Sequence, residues 1–403
     1  MSARLEPVVR RYLASVAISR FGAGLTLPFT LILLHEVRDI ALPTVGLLLA
    51  LPAVVGLAAV PVSGALVDRA GPRAVLRWCL LLQAAGTTVL AVGQTPWQVL
   101  PGLLLMGAGL GPSFPAGSAL LSGLLTRPDQ VQRAFGVQFT VINAAIGVGT
   151  LVGAAVVDVH RSQTFVALFL TSALTCIVQA VALPPAYRPV RDTEAAAPSY
   201  REVWSDPVFR KVCLVFFLVA VTGYASLDSG LPAFARVEGH VSPSTIALVF
   251  TVNTVLIVSL QLPALRWLRH WRRTRALAVA AGMWALSWGL LGVSQSTVVV
   301  LVFGAVFGIG EVFQGPALQP LVNALTSDRL RGRYNALSGS MFSVAFVVCP
   351  ALSGVLIGNG LGWLWLSGLV VGSIATVVVL VRLGPLLTDE QEGLASTATA
   401  EVT

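Results

Sequence analysis

Three ionisable side chains stand inside long apolar runs: Arg20 in AISRFGAG, Asp228 in GYASLDSGLP and Glu311 in FGIGEVFQGP. A charge without water around it is expensive, so such residues are functional candidates by default. Glu311 lies furthest from any polar flank. A carboxyl held there suits binding and releasing a proton, and it equally suits gripping a cation. Gln314 follows three residues on and Gln319 two turns on, so both can share its helical face. Arg20 can either face a cavity or reach back to the nearer surface, and Asp228 lies towards the end of its run. Uncharged polar residues recur in the same kind of setting: Gln138 and Asn143, Asn253 and Gln261, and Tyr224. Each can touch a ligand or bridge two helices by a hydrogen bond.

A second group has a different character. GALVDRAGPRAVLRW, residues 64–78, places Asp68, Arg69, Arg73 and Arg77 between two apolar runs. Nothing in either group forms a nucleophile–base pair, a metal-ligand cluster or a phosphate-binding glycine loop, so an enzyme is not expected, nor a metal or other cofactor. His35, His160, His240 and His270 are scattered near the ends of apolar runs.

The elements that must position these residues follow from composition. Of 403 residues, 56% are hydrophobic and 11% charged, against about a quarter charged in a soluble domain. The net charge of +8 does not indicate nucleic acid. The basic residues are strung between apolar runs, with no nucleic-acid motif among them. Cys79, Cys176, Cys213 and Cys349 fall inside apolar segments and read as small buried hydrophobes. Twelve runs approach or exceed the roughly 20 residues that cross a bilayer: 12–34, 44–67, 74–94, 97–124, 132–157, 163–184, 208–233, 243–265, 276–294, 297–324, 334–357 and 361–382. Helices are expected, because lipid offers no partner to an unpaired backbone group. With both termini inside, 22 basic residues fall in inner segments and three, Arg38, Arg161 and Arg236, in outer ones. That bias sets the expected orientation, and no cleavable signal peptide is expected. PAYRPVRDTEAAAPSYREVWSDP is the long polar interior stretch. It divides the chain into a first six-helix bundle (1–184), a cytoplasmic linker (185–207) with a short interfacial helix near Tyr200 to Ser205, and a second bundle (208–382). Residues 383–403 read as a disordered tail.

The halves repeat. At a shift of 200 residues, LLTRPDQVQRAFG falls on ALTSDRLRGRYNA, and Arg73 falls on Arg273 in RRTRAL. At a shift of 201, Gly107, Gly109 and Pro115-Ala116 meet Gly308, Gly310 and Pro316-Ala317. Gly22, Gly24, Pro28, Gly111 and Pro112 add to these as sites for close helix contact and bending. Repeated halves around a central cavity are a transporter architecture.

GALVDRAGPRAVL resembles the loop between spans 2 and 3 of the major facilitator superfamily, G-x-L-x-D-R-x-G-R/K-R/K-x-x-L. Gly64, Leu66, Asp68, Arg69, Gly71, Arg73 and Leu76 match, and Pro72 departs. RGRYNALSGS and CPALSG resemble the drug-efflux branch, and the resemblance spans about residues 8 to 382. It implies an all-α membrane protein of twelve transmembrane helices, in two pseudo-symmetric bundles that rock by alternating access. It also implies that Asp68 faces the helix starting near Tyr334, where free N–H groups favour an anion. Arg69, Arg73 and Arg77 would then bridge to helix ends and lipid phosphates, latching the inner gate. The corresponding stretch of the second half, QLPALRWLRHWRRTRAL, keeps the arginines and has no aspartate. Two departures bear on proton coupling. Leu103 stands where efflux antiporters carry an arginine, and GTLVGA, with Thr150, stands where they carry G-P-x-x-G-G. Glu311 or Asp228 would therefore carry the proton. The expectation is a monomeric exporter of a small amphipathic compound in the plasma membrane, working with protons or another coupling ion and surrounded by lipid. The alternatives are a carrier of a polar metabolite such as a sugar or amino acid and, from another class, a transporter-like sensor or lipid scramblase.

Overall fold

The computed structural model describes residues 5–125, 131–185, 200–268, 270–326 and 331–394. The described residues form helices and connecting turns, with twelve helices long and apolar enough to cross a membrane. We number them α1 (Pro7–Val37), α2 (Leu42–Ala70), α3 (Pro72–Val92), α4 (Pro96–Gly123), α5 (Val131–Val156), α6 (Ser162–Ala182), α7 (Pro207–Val237), α8 (Pro243–Leu268), α9 (Arg273–Val293), α10 (Thr297–Ala324), α11 (Arg331–Gly358) and α12 (Gly362–Leu383). The twelve expected runs all appear, shifted by a few residues at their ends. A separate short helix, Tyr200–Ser205, lies where one is expected. The rest of the linker, residues 186–199, is outside the described residues.

An even number of spans brings both termini to one end, called proximal below. The other end is distal. Lipid tails are as apolar as leucine, so helix association here rests on close packing more than on the hydrophobic effect. Gly111 of α4 lies against Gly56 of α2, and Gly102 of α4 against Gly86 of α3. The first and second halves meet at α2 and α11, where a Cβ on Gly354 would lie 2.7 Å from the Gly46 Cα. No larger side chain fits that seam. α5 meets α8 where Gly147 lies against Thr254.

The repeat is visible in the distal turns. Asp39 between α1 and α2, and His240 between α7 and α8, are the two non-glycine residues with positive φ among the described residues. Each is followed by a matching backbone bond, Ile40 N–H to the Leu34 carbonyl (3.1 Å) and Val241 N–H to the Ala235 carbonyl (2.9 Å). A left-handed non-glycine residue is uncommon, so the same strained turn in both halves, in the register of the sequence repeat, marks equivalent positions. Gly71 has φ +80° between α2 and α3, a value that requires glycine in the expected loop motif.

Among the described residues, α1 and α7 depart from regular α winding. α1 tightens to a 3-10 turn at Leu27–Phe29, beside Pro28, and widens to a π turn at Leu33–Val37. α7 winds as a π-helix over Val221–Gly230, with Gly223 at φ −101°, ψ −111°, outside helical values. Wide turns of this kind are rare and often stand at functional sites.

The expectation of a disordered tail from residue 383 does not hold for residues 383–394. Leu383 ends α12 fully buried, Gly384–Leu386 form a 3-10 turn, and the following residues fold onto the start of α9, with Glu392 fully buried. The cause is a set of hydrogen bonds to Arg273 and Thr274 that no composition reading could show. Residues 395–403 lie outside the described residues.

Candidate functional site

The second half gathers most of the polar candidates. Glu311 lies midway along α10 and is 7% exposed. Its carboxylate accepts a short hydrogen bond from the Asn253 amide of α8. One turn on, Gln314 is buried and its Oε1 accepts from the Tyr224 hydroxyl of α7 at 2.7 Å. Asp228, one turn beyond Tyr224, is half-buried and lies within electrostatic range of both Tyr224 and Glu311. The π winding of α7 carries both Tyr224 and Asp228. Helices α7, α8 and α10 thus bring two carboxylates, two amides and a phenol into one cluster in the middle stretches of these spans.

An aromatic wall backs this cluster. The Tyr224 ring meets Trp284 of α9 edge-on at 6.2 Å and Phe342 of α11 at 5.9 Å. Trp284 and Trp288 are fully buried, and their indole N–H groups donate to the carbonyls of Phe307 (3.2 Å) and Thr222 (2.7 Å). A buried indole needs such a partner. The Trp288 bond falls in the distorted stretch of α7.

The first half holds a different set. Arg20 of α1 has a buried Nε with no hydrogen-bond partner, and its electrostatic neighbours are the Tyr12 hydroxyl and the Cys176 thiol of α6. The Gln138 amide of α5 donates to that hydroxyl at 3.5 Å, and Tyr12 in turn donates to the Gly117 carbonyl of α4 at 3.1 Å. Tyr12 therefore ties α1, α4 and α5. Sequence reading missed it, because a tyrosine near the start of an apolar run looks like an interface anchor. Asn143 bonds back to the Phe139 carbonyl of its own helix and joins neither group. Gln319 bonds to Asn335 of α11 rather than to the Glu311 cluster.

The distal end is closed across the halves. Glu36 at the end of α1 and Arg236 at the end of α7 form a two-pronged ion pair, with one contact at 2.6 Å, and Arg236 also donates to the Val241 carbonyl at 2.7 Å. Their side chains are 23% and 17% exposed, so the pair is partly shielded from water. The Gly46–Gly354 seam and the contact of Gly358 with Pro43 lie beside it. This pair was also missed, although Glu36 and Arg236 fall in the same repeat register as Arg73 and Arg273. Arg38 is 9% exposed and fastens the α1–α2 turn by a 2.7 Å bond to the Ala91 carbonyl of α3.

At the proximal end the loop motif meets α6. Arg73 donates to the Leu183 carbonyl at 3.0 Å and Arg77 to the Ala180 carbonyl at 3.2 Å, both at the C-terminal end of α6, where free carbonyls favour cations. Arg69 is exposed. The side chain of Asp68 and the surroundings of Gly64 lie outside the described residues. Tyr334, at the start of α11, donates to Asp206 at 3.0 Å, and Asp206 also caps α7 through the Val208 and Phe209 N–H groups.

Relatives place this architecture. A multidrug resistance protein MdtH of Yersinia enterocolitica is 26% identical over 312 residues, covering 76% of this chain and 73% of its own. That of Klebsiella pneumoniae is 26% identical over 315 residues, covering 77% and 74%. Among solved structures, a D-xylose-proton symporter matches with a TM-score of 0.75 at 13% identity, covering 96% of this chain and 99% of the other. An inward-facing bacterial homologue of the human lysosomal transporter Spinster matches with 0.70 at 14%, covering 97% and 98%. These two share the fold. A family model described as Major Facilitator Superfamily matches residues 12–240 and 231–401. With that match across both repeated halves, the chain belongs to the major facilitator superfamily, multi-pass membrane transporters of small molecules.

Proposed function

We propose that this protein is a proton-coupled exporter of a small amphipathic compound, working by alternating access in the plasma membrane with both termini in the cytoplasm. The distal end is then the outer one, as the 22-to-3 division of basic residues requires, and the structure is a state closed to the outside. The chain divides on this reading into the bundles 1–184 and 208–382 joined by a cytoplasmic linker. The observation that carries the proposal is Glu311, buried at mid-membrane depth with Asn253, Gln314, Tyr224 and Asp228 around it.

A carboxylate in a dry cluster needs a compensating positive charge. A proton supplies it from one side of the membrane, and a cationic group of the substrate supplies it from the other. The two exclude each other at one carboxylate, so substrate leaves when the proton arrives. Asn253 holds the carboxylate in place by donating to it. Tyr224 and Gln314 offer an aromatic face and a hydrogen bond to the uncharged part of a substrate. The names of the MdtH relatives support efflux of compounds of this class. On the first half, Arg20, Gln138 and Asn143 are proposed to face the same route, and Asp68 to latch the inner gate with Arg69, Gly71, Arg73 and the Gly64 end of the motif.

The test is reconstitution into liposomes with ethidium, an amphipathic cation, as the probe. Flux should follow an imposed pH gradient in the wild type and lose that dependence in Glu311→Gln. Gradient-driven flux that survives in Glu311→Gln removes Glu311 from the proton route.

A further inference from the structure

The start of α9 is electrostatically awkward. Its N-cap is Arg272, with no side-chain cap hydrogen bond, and Arg273 and Arg275 follow in the first turn. A helix N-terminus carries free N–H donors and a partial positive charge. An arginine has no acceptor to offer those donors, and its cation adds to the positive end. The loop before α9 contains no acidic residue. Left alone, this helix start would have unsatisfied donors and repelling charges.

The C-terminal segment corrects both faults. The Glu392 side chain accepts from the Thr274 N–H at 3.0 Å and, by a short bond, from the Thr274 hydroxyl. Its backbone carbonyl accepts from the Arg273 N–H at 3.1 Å. Arg273 donates to the Gln391 carbonyl at 2.8 Å, and Arg272 pairs with Asp389 at 2.9 Å. The segment is pre-shaped for the task. Thr388 and Gln391 exchange side-chain-to-backbone bonds at 3.0 and 3.2 Å, and Gly393 adopts φ +80° against the Arg273 guanidinium.

We propose that Thr388–Gly393 is a strap that caps α9 from the far end of the chain, binds it to the end of α12, and stays docked while the second half moves as one body. It brings to the α8–α9 loop the carboxylate that this loop's own sequence lacks. The inference rests on the rocking motion proposed above.

The test uses the full chain with its four buried cysteines replaced, carrying two spin-label pairs read by pulsed dipolar spectroscopy. One pair, Glu390 with Ala278, reports strap against α9. The other, Ala70 with Ala278, crosses the halves at the proximal end. Arg236→Glu sets two carboxylates against each other at the distal end and favours its opening about fivefold. A population with the cross-half distance shorter by about 5 Å or more should then grow by that factor, with the strap distance unchanged. In Glu392→Ala the strap distance should broaden, and exchange of the Thr274 amide should quicken at least about tenfold as its acceptor is lost. A strap distance that changes together with the cross-half distance overturns the strap. So does a Glu392→Ala protein with unchanged strap distance and Thr274 exchange. A cross-half distance that ignores Arg236→Glu overturns the rocking motion, and with it the strap's part in that motion.

Discussion

Arg73 and Arg273 occupy equivalent places at the starts of α3 and α9, and each reaches a backbone carbonyl beyond the last helix of its own half. Arg73 bonds the Leu183 carbonyl at the end of α6, and Arg273 bonds the Gln391 carbonyl after α12. The first half carries its acid in the loop itself, as Asp68, whereas the second half imports Glu392 and Asp389 from the chain end. In the second half, then, the start of α9 is capped by distant sequence. The halves differ in the membrane interior too. The first has a guanidinium with an unpartnered Nε, Arg20, and the second a carboxylate cluster around Glu311. Equivalent scaffolds carry different buried groups, so symmetry predicts contacts between helices better than it predicts the ionisable side chains inside them.

The comparison can be broken or sharpened in order of expected effect. Asp68→Asn should abolish transport with folded protein still present at wild-type level, whereas a change in the second half's loop, Arg272→Gln, should reduce it by no more than about twofold, as an exposed ion pair implies. Ethidium flux from equally expressed proteins decides this, and normal flux in Asp68→Asn removes the latch. Gly354→Val should come next. Its added carbons meet the Gly46 backbone, and overpacking of this kind costs about 1 to 3 kcal/mol, which disfavours the closed distal end by roughly fivefold to more than a hundredfold. Accessibility of a cysteine placed at Val45 to a membrane-impermeant reagent should rise accordingly.

Glu36→Arg alone should favour distal opening by a smaller factor, about fivefold, since a partly exposed pair contributes about 1 kcal/mol. The exchanged pair, Glu36→Arg with Arg236→Glu, should restore wild-type behaviour. No restoration would mean that the pair does not act as a unit. An effect of similar size is expected for Tyr224→Phe. It deletes the hydrogen bond to Gln314 and keeps the ring against Trp284 and Phe342, which implies a loss of about 1 kcal/mol, or some fivefold in probe affinity.

Much of this was legible in the sequence because lipid makes each span announce itself. Twelve apolar runs, the basic segments between them and the loop motif at Gly64–Leu76 all appear without coordinates. Glu311 stood out because a lone carboxylate in an apolar run has few uses, and Gln314, Asn253 and Tyr224 do lie beside it. Other features were hidden for physical reasons. The π winding of α7 sets Gly223 against Trp284 and the Thr222 carbonyl on Trp288, contacts that no local pattern encodes. The Glu36–Arg236 pair needed two distal turns brought together across the halves. The strap was hidden most thoroughly, because TDEQEG has the composition of a disordered tail and becomes ordered only through Arg272, Arg273 and Thr274, far earlier in the chain. Asn143 shows why polar residues in spans are ambiguous: such a side chain can be satisfied by its own helix, as its bond to Phe139 shows.

The central claim is that proton and substrate compete for the Glu311 carboxylate. Its most direct test is proton release on binding, measured with a pH-sensitive dye when ethidium is added to purified protein in weakly buffered solution. The account predicts about one proton released per ethidium bound by the wild type, as mutual exclusion at one carboxylate requires, and none by Glu311→Gln. Binding without proton release in the wild type, or equal release in Glu311→Gln, would contradict it.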